Sequence, residues 1–281
     1  MLCRAYGAET IGDSWQDVGR SSIVEAYRQG WLNETALSAP RSPMCRSVLV
    51  ESAFAAADVP VYDSTLYEGG ASLSTADNIL RVGRELGLCS DDADTNALVT
   101  RGDAAIILHV VLTQSFRIEE PPVPVTLVNA AGVNVNDFLL ELRKLPEQVL
   151  DAFNAAGWTY CIDFDYMGGL SKKLNMSCIG ATSYGQKTIY ISEASATLHE
   201  FGHFLDWMLG FPAEHEQLFR AEAAAAPLRN YAKTNVREYF ADCFAYWVKY
   251  AENANAISLL QECAPMTFRY MEEVTILQWP D

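Results

Sequence analysis

Apolar residues fall at helical spacing in SIVEAYRQGWL (22–32) and again in DNILRVGRELGL (77–88), and each stripe runs into a glycine stop. A second apolar helix follows each, in PMCRSVLVESAFAAA (43–57) and LVTRGDAAIILHVVL (98–112). Ile23 aligns with Ile79 and Arg46 with Arg101, so two units of one helix–loop–helix pattern stand in tandem. The opening MLCRAYGAE repeats the tail of such a unit, as expected of a chain cut from a longer precursor. Pro121, Pro122 and Pro124 then favour extended backbone and end the helical region.

Beyond this seam the period changes. NVNDFLLELRKLPEQVLDAF (134–153) is helical with a break at Pro146. TYCIDFDY (159–166) and KTIYIS (187–192) carry β-branched and aromatic residues in the manner of strands, and KTIYIS could offer an edge to an extended peptide. GGLSKKLNMS and SYGQ, between them, predict turns, and from Ser192 onward the pattern is helical. The chain thus divides into an all-α repeat region (1–115), a Pro-rich linker (116–135) and a mainly helical α+β domain with a small sheet (136–281).

Of 281 residues, 50% are hydrophobic and 20% charged, which excludes wholesale disorder. The net charge of −16 is spread over both halves, leaving no basic stripe for nucleic acid or anionic lipid. The longest apolar run, Ala104–Leu112, is too short to span a bilayer and contains His109. MLCRAYGAET lacks the features of a signal peptide, so the protein is either cytoplasmic or has a leader outside this chain. Seven cysteines without a CxxC pair argue against a disulfide scaffold and a cysteine zinc site; Cys161 with Cys178 is the one pair worth checking.

The strongest chemical signal is ATLHEFGHFLDWMLG (196–210), an HExxH motif with His199, Glu200 and His203. On a helix, positions i and i+4 share a face, so both imidazoles can ligate one zinc ion while Glu200 acts as general base on a water. Ser192 is the expected N-cap, Gly210 and Pro212 the stop, and Leu198, Phe201, Leu205 and Met208 the packing stripe. A catalytic zinc needs a third protein ligand and an open position. Asp206 and Leu209 stand where a third histidine motif would need Gly and His. His215, in AEHEQ, reads as a surface histidine. Glu238, opening the helix in NYAKTNVREYFADCFAYWVKY (230–250), is modestly preferred; it could instead serve Asn235 as a capping-box partner. Asp206 and Asp242 read equally as solvated helix carboxylates, and Tyr231 as packing.

HEFGHFLDW followed by YAKTNVREYFADCFAYW and APMTFRYM (264–271) resembles the catalytic domain of anthrax lethal factor and its relatives, which include the Pro-Pro endopeptidases. The resemblance covers roughly 134–281 and is dense from 188 onward. It implies a zincin-like fold, one Zn²⁺ per chain and Glu238 as third ligand. It also implies Tyr231 as a catalytic donor to the oxyanion, and places Asp206 and Asp242 around the site, one or the other accepting the second ring N–H of a zinc-bound histidine. The chain has Asp242 and Cys243 where relatives commonly carry Glu-Ala.

Upstream, WQDV (15–18), RQGWL (28–32), MCRSVL (44–49), RELGL (84–88) and VTRGDA (99–104) resemble S-layer homology repeats, with Cys45 in place of a usual Thr. That resemblance implies binding of cell-wall polysaccharide, with Arg101 the better-placed arginine; a helical scaffold that has lost sugar binding carries equal weight. The combined expectation is a zinc metalloendopeptidase, secreted or on a bacterial surface, acting on protein or peptide substrates. The alternative is an inactive wall-binding or structural protein. Relatives cut within extended, often Pro-containing or basic-flanked segments, and an acidic chain is expected to favour flexible, Pro-containing, neutral to basic peptides and repel acidic ones.

Overall fold

Ser14, Ser74 and Thr100 each accept a backbone N–H from the residue three positions on, capping three helices of the N-terminal unit. The computed structural model describes residues 2–9, 12, 14–39, 41–90 and 93–276. It divides into two compact units, Met1–Pro122 and Val123–Asp281.

The first unit holds α1 (Leu2–Ala5), α2 (Trp15–Arg28), α3 (Glu34–Ser38), α4 (Arg46–Ala56), α5 (Thr75–Glu85) and α6 (Arg101–Thr113). Leu49, Val50 and Phe54 of α4 meet Ile79 and Leu80 of α5 and Ile107 and Val111 of α6 in one apolar core. The starts of α4 and α6 lie side by side. Arg46 N donates to Ala97 O and Val99 N to Met44 O, around an antiparallel Cys45–Leu98 bridge. Thr100 and Asp103 form a reciprocal capping box on α6, whereas Cys45 offers α4 no side-chain cap. Arg46 lies 3.8 Å from Asp103, and Arg101 is exposed.

The second unit comprises β1 (Leu127–Asn129), α7 (Asn136–Leu142), α8 (Glu147–Ala155), β2 (Thr159–Ile162), α9 (Phe164–Leu174), β3 (Gly180–Ser183) and β4 (Thr188–Ile191). It continues with α10 (Thr197–Met208), α11 (Ala213–Glu222), α12 (Val236–Lys249), α13 (Ala254–Cys263) and α14 (Pro265–Ile276). The α+β reading holds: a mainly helical unit surrounds a four-stranded sheet of order β1-β2-β4-β3. β1, β2 and β4 run parallel, and β3 is antiparallel to β4. Phe153 of α8, Trp158 before β2, and Phe201 and Phe204 of α10 stack edge and face at centroid distances of 4.8–5.9 Å. That cluster fixes one side of α10 to the sheet layer.

Several expectations change. Residues 127–129, assigned to the linker, pair with β2 as an edge strand. The strand from Thr159 stops at Ile162 because the Asp163 side chain accepts from Tyr166 N and starts α9, which absorbs the Gly-Gly segment read as a turn. The KTIYIS strand is interior, between β2 and β3, so it has no free edge; the edges are β1 and β3, neither of which the sequence reading assigned as a strand. Ser192 caps nothing: its hydroxyl donates to Ile179 O, and a 3₁₀ turn over Ala194–Ala196 leads into α10. Cys161 and Cys178 are both free thiols. Among the described residues no helix is long and apolar enough to cross a membrane.

Candidate metal centre

Helices α10 and α12 form the most extensive helix pair of the unit, and their crossing depends on one glycine. A Cβ on Gly202 would lie 2.6 Å from Ala241 Cα and 2.7 Å from Ala241 O, so only glycine lets the two backbones approach this closely. The side chains of His199 and His203 on α10 and Glu238 on α12 thereby face one another. Asn235 caps α12 by accepting from Arg237 N and Glu238 N, which leaves the Glu238 carboxylate to the histidines rather than to a capping box.

Three donor atoms converge. His199 Nε2 and His203 Nε2 are 3.1 Å apart, and Glu238 Oε2 is 3.1 Å from the first and 3.5 Å from the second. Tetrahedral coordination at zinc bond lengths of about 2.0–2.2 Å sets donor atoms roughly 3.3–3.6 Å apart, so the cluster fits a zinc-sized cation. His203 Nδ1, on the far side of that ring, is buried without a hydrogen-bond partner among the described residues. Burial opposes charge on His199, but hydrogen bonds to Asp242 and Glu238 outweigh it and lift its pKa to about 9. Burial likewise opposes the Glu238 carboxylate, yet its two histidine partners hold its pKa well below the usual range.

Of the two surrounding carboxylates, Asp242 and not Asp206 meets a candidate ligand. Asp242 Oδ1 lies 2.6 Å from His199 Nδ1, which fixes that ring with Nε2 directed at the site. Asp206 does not reach either candidate ligand. It lies 2.8 Å from His215 Nδ1, whose Nε2 is 2.8 Å from the Tyr270 hydroxyl. His215 is only 3% exposed and stacks on Phe240, so it is a core residue and not a surface one. The cause is helical phase: His215, Leu218 and Glu222 share the inward face of α11, despite the flanking Glu214 and Glu216.

Arg229 is the residue that sequence reasoning missed. Its Nε donates to Asp242 Oδ2 at 2.6 Å and its Nη2 to Oδ1 at 2.7 Å, a bidentate grip on the carboxylate that orients His199. Its guanidinium also sits 5.3 Å from the Tyr231 ring centre. Its one sequence signal is proximity, two positions before Tyr231 in LRNYAKT.

Glu200 is buried on the β3 side of α10, and Thr182 Oγ1 donates to its Oε2 at 2.8 Å. Gly180 leaves that carboxyl its room, since a Cβ would lie 2.6 Å from Glu200 Oε1 and displace the side chain. Burial raises the Glu200 pKa, partly offset by the two histidines. Tyr231, on a 3₁₀ turn over Asn230–Lys233, is 43% exposed, and its ring centre is 6.3 Å from that of His199. Burial and the nearby Glu238 charge push its pKa up to about 12, so the hydroxyl keeps its proton at neutral pH. Two adjoining cavities of about 770 and 630 Å³ flank the cluster and share Met176, Cys178, Gly180, His199, Glu200 and Tyr231. Together they form an open cleft with the cluster at its centre.

Residues 141–274 match the family model described as anthrax toxin lethal factor, N- and C-terminal domain. Among solved structures, the Pro-Pro endopeptidase PPEP-2 from Paenibacillus alvei is similar over 53% of this chain and 96% of that one, with 17% identity and a TM-score of 0.41. No curated protein matches the chain.

Proposed function

With an anthrax lethal factor-like domain over residues 141–274 as the premise, we propose that this chain is a zinc-dependent endopeptidase. The observation that carries the reading is the convergence of His199, His203 and Glu238 in an open cleft, with Glu200 and Tyr231 beside them. Zinc held by these three ligands would supply a Lewis acid and make water acidic enough to ionise near neutral pH. Glu200 takes a proton from water and returns it to the leaving amine, and burial tunes its carboxyl upward toward that exchange. The Tyr231 hydroxyl, still protonated at neutral pH, donates to the oxygen that gains charge in the tetrahedral state. An extended substrate lies along the free edge of β3, whose Gly180, Ala181 and Thr182 line the cleft.

Metal analysis of the purified protein tests this directly. One zinc per chain is expected, lost from Glu238→Ala and retained by His215→Ala, because His215 is committed to Asp206 and Tyr270. Full zinc in Glu238→Ala would remove the third ligand. A digest of a peptide library by the zinc-loaded protein, abolished by chelation, separates an active peptidase from an inactive relative.

Arg229 yields a finer test. Arg229→Ala frees the Asp242 carboxylate to turn away from His199, so chelator competition should show zinc affinity roughly 10–100-fold weaker. Unchanged affinity would mean that Asp242 orients the ring without help.

A further inference from the structure

The cleft holds two arginines in opposite states. Arg229 spends its fork on Asp242. Arg237, on the first turn of α12 and next to Glu238, has no carboxylate within ion-pairing distance among the described residues. It is held in place all the same. Its guanidinium carbon lies 3.9 Å from the Phe211 ring centre and 5.7 Å from that of Tyr184, and the two rings meet edge to face at 5.4 Å. Phe211 reaches this position from left-handed backbone, φ 53°, just past the end of α10.

An arginine lying on an aromatic ring spends its face and leaves N–H donors at its edge. Arg237 lines the cavity on the β3 side of the cluster, where Leu170, Leu174 and Met176 supply the apolar wall. The other charged side chains of that cavity, Glu200 and Glu238, are already given to the catalytic and ligand roles. A preorganised planar cation of this kind recognises a carboxylate.

We propose that Arg237 is a specificity-determining residue that reads an acidic side chain of the peptide on the β3 side of the scissile bond. The inference rests on the peptidase reading and adds a substrate class to it. Consecutive Cα atoms are about 3.8 Å apart, so a side chain leaving the residue beside Glu238 serves a position within roughly three residues of the cut. The net charge of −16 argues for basic substrates on average. Beyond about 8 Å, however, exposed charges are screened at physiological ionic strength, and a direct contact outweighs the mean field.

The experiment takes one neutral peptide cleaved by the wild-type protein and substitutes Glu or Lys at each flanking position in turn. Wild type should favour Glu over Lys about tenfold in kcat/KM at one position, mainly through KM. Arg237→Ala should flatten that ratio and Arg237→Glu invert it, each at full zinc content by metal analysis. The same peptides, labelled, are titrated onto the Glu200→Gln protein with and without Arg237→Glu, so that affinity is read apart from turnover. No acid-preferring position, or a ratio indifferent to Arg237→Glu in both assays, overturns the proposal. If wild type cleaves nothing, the peptidase reading fails, while the binding ratio still decides whether Arg237 reads a carboxylate.

Discussion

The Glu200→Gln protein is expected to hold one zinc per chain, melt like wild type, and hydrolyse peptides about 10²–10⁴-fold more slowly. The reasons are local. Glu200 neighbours His199 in sequence, yet the donor cluster consists of His199, His203 and Glu238. Its carboxyl lies instead against β3, where Gly180 leaves it room and the Thr182 hydroxyl donates to Oε2. Glutamine keeps that volume and can accept from Thr182, but cannot take a proton. A variant that loses zinc would make Glu200 a ligand; one that keeps full activity would place the base elsewhere. Metal analysis alongside peptide turnover separates these outcomes.

The parts of this site that were legible in sequence share one property: a short spacing fixed by helix geometry. HExxH on an apolar stripe placed His199, Glu200 and His203 on one helix, and α10 follows that stripe closely. Glu238 was harder, because its spacing to Asn235 suits a cap as well as a ligand. The fold resolves the ambiguity by letting the Asn235 side chain cap alone. The illegible parts are those in which tertiary packing overrode local pattern. Gly168 and Gly169 suggested a turn, yet Asp163 at the start and Met167 in the core carry a helix through them. β3 has no apolar alternation, since Gly180–Ser183 is half-buried throughout, and it was invisible as a strand. Asp206 lies one turn past His203 in sequence but is held by His215 on another helix. Arg229 sits in a segment with no period at all, and only the folded chain brings it to Asp242.

Replacing Gly202 should damage both stability and metal binding, against the usual trend for helix glycines. In an open helix, glycine to alanine stabilises by about 0.5–1 kcal/mol. Gly168→Ala and Gly169→Ala in α9 should follow that rule, because a Cβ at either position meets nothing within 4 Å. At Gly202 the same methyl would meet Ala241 Cα at 2.6 Å and Ala241 O at 2.7 Å. Those are backbone atoms of a fully buried residue and cannot swing aside. Helix α12 must shift instead, taking with it Glu238 and Asp242. Overpacking of this kind costs about 1–3 kcal/mol, and at this unit's size each kcal/mol lowers Tm by roughly 2–4 °C. Gly202→Ala should therefore melt below wild type while the α9 variants melt above it. Its zinc affinity should fall further still, since the donor atoms tolerate little displacement before one of them leaves the tetrahedron. Calorimetry and chelator competition on the three variants provide the comparison. A Gly202→Ala protein with wild-type Tm and zinc affinity would show that the contact with α12 does not set the geometry of the metal centre.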